Sequence, residues 1–547
     1  MNTLIWFVIL YWVASVGIGI FAARFVRSSR DFAVAGRALP LYIVTATVFS
    51  TWFGSEAILG IPATFIEEGF VGVISDPFCS GACLILVGLL IAKKLYRLNL
   101  MTITDYYRFR YSRTVEVIVA LSIVLSYLGW VSAQIKALGL VFNIISDGLV
   151  SVNIGMAIGL TCVLIYTLLG GMWSIAITDF VQMLIIVGGI IYIAFEVAGM
   201  VPGGASAVVI HAYDAGKLSF IPEMNAAAIF GFIGAGLTML FGSMPQQDIF
   251  QRVASAKNET IAKQGSIFGG MFYIIFALIP MFLCYATTLL DPALIEKLIG
   301  VDSQLIVPAM IMKYMPMLAQ VVFFGALLSA IQSSASATLL APSVTFSENI
   351  LKGFFPNMSD RQHLHMMRAT VLIFAGIVIL FAMWTNASIF KMVENAYKST
   401  LVVAFVPLIA GFFWKQASNR GALTSIIAGV FFWILFEIID PEGTIPPQLY
   451  GFIAAITGMI VGSLIWTRYG KAQHCPTQNP TAMTGINPES IAMSEPDHQS
   501  SVPPTGSATT LAKSHPPLQS TQTKITPRIN AIVKTAHPPS TTGSPWR

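Results

Sequence analysis

Apolar runs of about 20 residues recur from Thr3 to Trp466, each followed by a short polar connection, and this repetition leaves few folds open. Segments of that kind are stable in lipid only if every backbone N–H and C=O is bonded within a helix or around a closed barrel. The alternation of a membrane barrel is absent from the sequence. The chain is therefore read as an all-α polytopic membrane protein. Composition agrees, with 55% of the 547 residues hydrophobic and 10% charged and a mean hydropathy of +0.75, well outside the range of soluble domains.

Hydropathy predicts about thirteen spans, at 3–23, 39–64, 70–92, 115–145, 150–170, 174–200, 226–245, 264–288, 316–348, 367–386, 396–414, 420–439 and 448–467. The first, "LIWFVILYWVASVGIGIFAA", has no basic residue ahead of it and is long enough to cross, so it is read as a retained helix rather than a signal peptide. Basic residues sort onto one side: Arg24, Arg27, Arg30, Arg37, Lys93, Lys94, Arg97, Arg108, Arg110, Arg113, Arg252, Lys257 and Lys263 share alternate connections. The opposite connections hold Glu67, Glu68, Asp147, Asp291, Glu296, Asp440 and Glu442. Because cytoplasmic loops collect Lys and Arg, the N-terminus is expected outside and the C-terminus inside.

From Lys471 the chain turns rich in Pro, Ser and Thr without apolar periodicity, which predicts a disordered cytoplasmic tail over 471–547. Its Lys513, Lys524, Arg528 and Lys534 offer contacts to anionic lipid, against the plainer reading of a solvated extension. The cysteines Cys79, Cys83, Cys162, Cys284 and Cys475 match no zinc or disulfide spacing and are read as packing residues.

Two spans carry signs of a break. In "TWFGSEAILG" the poor helix formers Gly54 and Ser55 stand together, followed by Pro62. The seventh span, "IFGFIGAGLTMLFGSMP", holds Gly231, Gly234, Gly236 and Gly242 ahead of Pro245. Small residues also serve close helix packing. The two spans are five apart, however, as when each of two inverted halves begins with a discontinuous helix whose freed carbonyls bind a cation. In the ninth span, "GALLSAIQSSASATLLAPS", the Ala330 carbonyl and the Ser333 and Ser334 hydroxyls share a face, and such oxygens suit a hard cation or a hydrogen bond between helices.

Ionisable residues inside spans mark ion paths or structural pairs. Asp179, beside Thr178 and Gln182, is the ion-path candidate. Glu56, Asp76 and Lys136 are the other buried charges, open to mutual pairing or to solute contact. No histidine falls in a predicted span, which disfavours a histidine proton relay. No nucleophile with a base partner, metal set or phosphate loop occurs, so an enzyme is not expected.

These residues resemble the sodium:solute symporter family over about Leu39 to Trp466. "GGMWSIAITDFVQ" is similar to its Gly-Gly-x-x-(Ala/Ser)-x-x-x-Thr-Asp-x-x-Gln element, "PQQDIFQRVASAK" to a second, and "AIQSSASATLLAPS" to its Ser-(Ser/Thr)-Ala-Asp-Ser element, with Ser336 where many members have Asp. The resemblance implies a five-plus-five inverted-repeat (LeuT-like) fold: a first span and cytoplasmic loop over 1–38, the transport core over 39–415 and two further spans over 416–470. It implies a sodium site from the carbonyls of Ser50, Phe53 and Ala330 and the hydroxyls of Ser333 and Ser334, with Asp179 on the ion path or at a second site.

Choline carriers of the family cage the ammonium in aromatic rings. Here Trp52 and Trp130 resemble two cage positions, with Gln246 at the third and Ser80 near the tyrosine position. Lys136 facing the site would instead receive a carboxylate, so Trp52, Glu56, Trp130, Lys136 and Gln246 are the solute candidates, and proline-like and choline-like solutes both stay open. The function implied is sodium-coupled import of a small organic solute across the plasma membrane, the inner membrane in a bacterium. Na+ is the coupling ion, no cofactor is expected, and the partners are solute, Na+ and membrane lipid rather than nucleic acid. The alternatives are a carrier-like membrane sensor and a proton-coupled carrier of an organic acid.

Overall fold

The computed structural model describes residues 3–470, and their regular structure is helical apart from one parallel bridge between Leu39 and Ala256. Met1, Cys475 and the whole predicted tail lie outside the described residues. Ten helices are long and apolar enough to cross a membrane, or eleven when the bent pair Ala226–Gly242 and Gln247–Ser255 is taken as one span. The Met317–Asn349 helix lies at the centre, with 67% of its apolar window buried, against 22% for Asn419–Ile439 at the periphery. Its run of Ala and Ser explains this, because small side chains let neighbouring backbones approach from several sides.

Both predicted breaks are present. The Leu41–Trp52 helix ends where Phe53 leaves helical geometry (φ −91°, ψ 70°), and the chain resumes through Glu56–Gly60 into Ile61–Gly72. Pro62 stands at the start of the Ile61–Gly72 helix, directly after the wider Glu56–Gly60 turn. The Ser55 N–H freed by the break donates to Gln134 Oε1 at 2.9 Å. The second break bends the helix axis by 41° between Gly242 and Gln247. The two broken segments are tied together, since Leu39 N–H donates to Ser255 O (3.0 Å) and Lys257 N–H to Leu39 O (2.9 Å).

Several boundaries differ from the sequence reading. The fifth and sixth predicted spans, 150–170 and 174–200, are two helices that meet at a kink without a loop, in the 49-residue stretch Val152–Met200; at 1.5 Å per residue a straight helix of that length would be about 74 Å long, over twice the hydrocarbon thickness. Gly171 divides it (φ 48°, ψ −137°), and a Cβ there would stand 2.4 Å from the Phe32 carbonyl oxygen. Gly171→Ala is expected to cost about 2 kcal/mol or more, because side chains avoid that backbone region and the carbonyl cannot retreat cheaply. A thermal midpoint of the purified variant equal to wild type would refute this.

Glu67 and Glu68, expected in a connection, stand in the Ile61–Gly72 helix. The connection with Asp291 and Glu296 contains two short helices, Pro292–Ile299 and Ile306–Tyr314. The tenth predicted span begins at Asp360, so His363 is buried within that helix, its Nε2 3.1 Å from Glu348 Oε2. Arg252, assigned by its charge to a cytoplasmic connection, is 1% exposed inside the Gln247–Ser255 helix. Its guanidinium donates to Thr51 Oγ1 (2.7 Å) and to Asp248 O (3.1 Å), a partnership that hydropathy cannot register.

Candidate functional site

The first break meets the Met317–Asn349 helix. Ending a helix at Trp52 releases nearby carbonyls from the i→i+4 ladder. The Ser334 hydroxyl lies against two of them, donating to Thr51 O at 2.7 Å with Ser50 O at 3.3 Å. One residue earlier, the Ser333 hydroxyl donates to Asp179 Oδ1 at 2.6 Å. Asp179 also accepts from the Thr47 hydroxyl through Oδ2, and its backbone carbonyl accepts from Ser50 Oγ at 3.1 Å. Ser50, Phe53, Ala330, Ser333, Ser334 and Asp179 are all fully buried. The structure thus brings Ser50, Ser333, Ser334 and Asp179 into one hydrogen-bonded junction of three helices. Phe53 borders it, its ring packed on Phe49 and Phe276.

Beside this junction lies an aromatic cluster. Trp52 and Trp130 meet edge to face at 5.2 Å between centroids, and Tyr397 packs on both, at 6.0 and 5.7 Å. Exposures of 3%, 1% and 0% for Trp52, Trp130 and Tyr397 mean that the cluster is sealed from solvent. Each indole is oriented by a buried carboxylate: Trp52 Nε1 donates to Asp248 Oδ2 and Trp130 Nε1 to Glu56 Oε1, both at 3.1 Å. Tyr127 donates its hydroxyl to Asp248 as well. Gln134 links the cluster to the break, because its Nε2 donates to Glu56 Oε2 at 2.6 Å while its Oε1 holds the Ser55 N–H.

The remaining candidates divide. Gln246 is buried near the cluster, donating to Ser126 Oγ (3.0 Å) and, more weakly, towards Thr400 Oγ1 (3.4 Å). Lys136 lies elsewhere: its Nζ donates to Ala387 O at 2.9 Å. It stands two residues after Gln134, about 200° around the helix from the face that meets Glu56. Glu56, Asp76 and Lys136 therefore do not pair with one another. Asp76 accepts instead from Ser80 Oγ (2.5 Å) and Tyr273 Oη (2.6 Å).

Gln134, Tyr397, Asp248, Arg252 and Thr47 were not singled out from sequence. Gln134 recurs at i+4 from Trp130, and Asp248 and Arg252 lie within the quoted "PQQDIFQRVASAK", so those three carried a signal. Tyr397 and Thr47 carried none beyond ordinary apolar-span composition.

A helical membrane protein in which two interrupted spans flank a buried polar junction has the architecture of a carrier. A sequence profile of the sodium:solute symporter family matches residues 32–429, and the chain belongs to that family. Its relatives are transporters. The high affinity choline transporter 1 of Homo sapiens is 25% identical over 445 residues, covering 78% of this chain and 75% of the relative. The osmoregulated proline transporter OpuE of Bacillus subtilis is 24% identical, covering 85% and 95%. The sodium/proline symporter of Haemophilus influenzae is 25% identical, covering 82% and 92%. Among solved structures, a Na+-coupled sialic acid symporter in a substrate-bound outward-open state superposes with a TM-score of 0.71 at 20% identity, covering 84% of this chain and 97% of that one. A nucleobase-cation-symport-1 family transporter gives 0.54 at 15% identity, covering 81% and 95%. The chain is an integral multi-pass membrane protein with the helical fold of these symporters.

Proposed function

We propose that this protein is a sodium-coupled secondary active symporter that imports a small organic solute across the plasma membrane by alternating access. The observation that carries the reading is the Ser334 hydroxyl lying on the carbonyls released at the break, 3.3 Å from Ser50 O and 2.7 Å from Thr51 O. Oxygens about 2.4 Å from a hard cation at right angles to each other stand about 3.4 Å apart, so the Ser334 hydroxyl and the Ser50 carbonyl, 3.3 Å apart, have the spacing of neighbouring ligands, while Thr51 O at 2.7 Å is a hydrogen-bond acceptor. Sodium held by Ser50, Phe53, Ala330, Ser333 and Ser334 would bridge the broken helix to the central one, with Asp179 on its path. Ion binding then orders the break for the solute, and the coupling is a free energy between two adjoining sites.

Solute contact is assigned to Trp52, Trp130 and Glu56, with Gln246 at the margin, and the choline and proline transport of the relatives named above bounds the chemistry. Thirteen crossings, with the N-terminus outside and the C-terminus inside, follow if the broken Leu41–Gly72 segment and the bent pair each cross once and Val152–Met200 crosses twice. The clustering of basic connections supports that orientation. The core is assigned to 39–415, with 416–470 added to it.

In proteoliposomes, replacing external sodium by potassium at fixed pH is expected to reduce solute accumulation to the level of empty vesicles. Accumulation driven equally well by a proton gradient without sodium would favour the proton-coupled rival. Ligand binding with no flux under any gradient would favour a sensor.

A further inference from the structure

The charge balance of the buried core points beyond this assignment. Among the described residues Glu56, Asp76, Asp179 and Asp248 are each no more than 3% exposed, against one comparably buried guanidinium, Arg252. A fifth buried carboxylate, Glu116, is paired with Arg113 at 2.8 Å. Arg252 donates to the Asp248 backbone carbonyl and to Thr51 Oγ1. None of Glu56, Asp76, Asp179 and Asp248 enters an ion pair among the described residues. A buried carboxyl without a counter-charge is costly to ionise, so it either holds a proton or draws in a cation, and a cationic ligand is the second of these routes.

The placement of Glu56 points to that second route. Its Oε1 is held by Trp130 at the aromatic cluster, and its Oε2 faces the break. A Cβ on Gly54 would stand 2.7 Å from Glu56 Oε2 and 2.5 Å from Ser334 Oγ, so this carboxylate and the serine hydroxyl flank the same glycine. An independent observation concerns Tyr397, whose hydroxyl is buried without a hydrogen-bond partner while its ring packs on both tryptophans. Aromatic faces, an uncompensated carboxylate and an unfilled hydroxyl together describe a seat for an organic cation with a polar arm.

We propose that Glu56 is the counter-ion of a cationic solute that carries no carboxylate of its own, and that this carboxylate is shared across Gly54 with the sodium site. The proposal rests on the symporter reading and narrows it: a zwitterion would bring a further carboxylate to carboxyls that already lack ion-pair partners. The solute's charged head lies against Trp52, Trp130 and Tyr397, with the Tyr397 hydroxyl bonded to its polar arm. Lys136 points to Ala387, away from the helix face that meets Glu56.

Choline and glycine betaine test this directly, because they share a trimethylammonium head and differ in ending as alcohol or carboxylate. Thermal midpoints of the purified full-length protein would be followed against choline, glycine betaine and proline, each in sodium and in potassium buffer. In sodium, choline is expected to raise the wild-type midpoint and both zwitterions to leave it unchanged. In Glu56→Gln the half-saturating choline concentration should rise about 30-fold or more, the usual consequence of removing one partner of a buried charge pair. Sodium alone should still stabilise that variant, at higher concentration. Zwitterions stabilising wild type as well as choline does, no effect of choline on wild type, or unchanged choline binding by Glu56→Gln would each overturn the proposal. Should Glu56→Gln not fold, Glu56→Asp, which withdraws the charge by one methylene, must weaken choline, and unaltered binding counts as refutation. Failure of sodium to shift wild type under any condition would instead refute the symporter assignment, which keeps the two outcomes apart.

Discussion

Replacing Ser333 and Ser334 together by alanine is expected to abolish sodium-stimulated uptake while the protein still accumulates in the membrane. Both hydroxyls lie at the meeting of the broken and central helices, Ser334 on the carbonyls of Thr51 and Ser50 and Ser333 on Asp179. A hydroxyl that donates its proton to a carbonyl or carboxylate keeps its lone pairs free, and those lone pairs are what a cation binds. Losing two ligands should exceed the about 10- to 100-fold loss of affinity that follows removal of an outer-shell group alone. The sodium concentration for half-maximal uptake should therefore rise beyond about 100-fold. Stability should fall less, by about 1–3 kcal/mol for each acceptor left without its donor. Threonine at either position keeps an oxygen and should retain part of the sodium response. Uptake with wild-type sodium dependence in the double alanine variant would remove these serines from the site.

The features legible in the sequence are those set by local chemistry. Gly54 and Ser55 weaken a helix wherever they stand, and Pro62 a turn or two later disfavours an uninterrupted one, so the break was readable. Ser333 and Ser334 fall on one face with Ala330 by helical geometry alone. Features set by packing between distant segments were not readable. Arg252 looks like a loop residue by charge, and only Thr51 and Asp248, brought up from another stretch and another turn, explain its burial. Tyr397 is one tyrosine among sixteen until two tryptophans from other helices pack on it. Sequence leaves Lys136 open to pairing with the other charges or to solute contact, and only its angle on the folded helix shows that it turns to Ala387. Gly171 fell between two predicted spans as an ordinary connection, although the helix resumes directly after it.

Arg252→Leu is expected to cost a large part of the protein's stability, about 3–5 kcal/mol. The guanidinium is buried in the same core as the Asp179 and Asp248 carboxyls, and it holds Asp248 O at 3.1 Å and Thr51 Oγ1 at 2.7 Å, next to the break. Removing one member of a buried charged group costs about 3–5 kcal/mol, because the charge left behind has neither water nor partner. Set against a total of about 5–15 kcal/mol for a typical domain, that loss should show as a collapse in the yield of monodisperse protein after solubilisation. Arg252→Lys retains the charge but loses the planar fork that reaches Thr51 and the Asp248 carbonyl together, so it should fall between. The decisive comparison is Arg252→Leu combined with Asp248→Asn. If the arginine is kept to balance these acids, removing an acid along with it must recover part of the loss, since deleting both charges of a buried pair costs less than deleting one. A double variant no more stable than Arg252→Leu alone would show that the arginine acts through its hydrogen bonds to Thr51 and the Asp248 carbonyl and not through its charge.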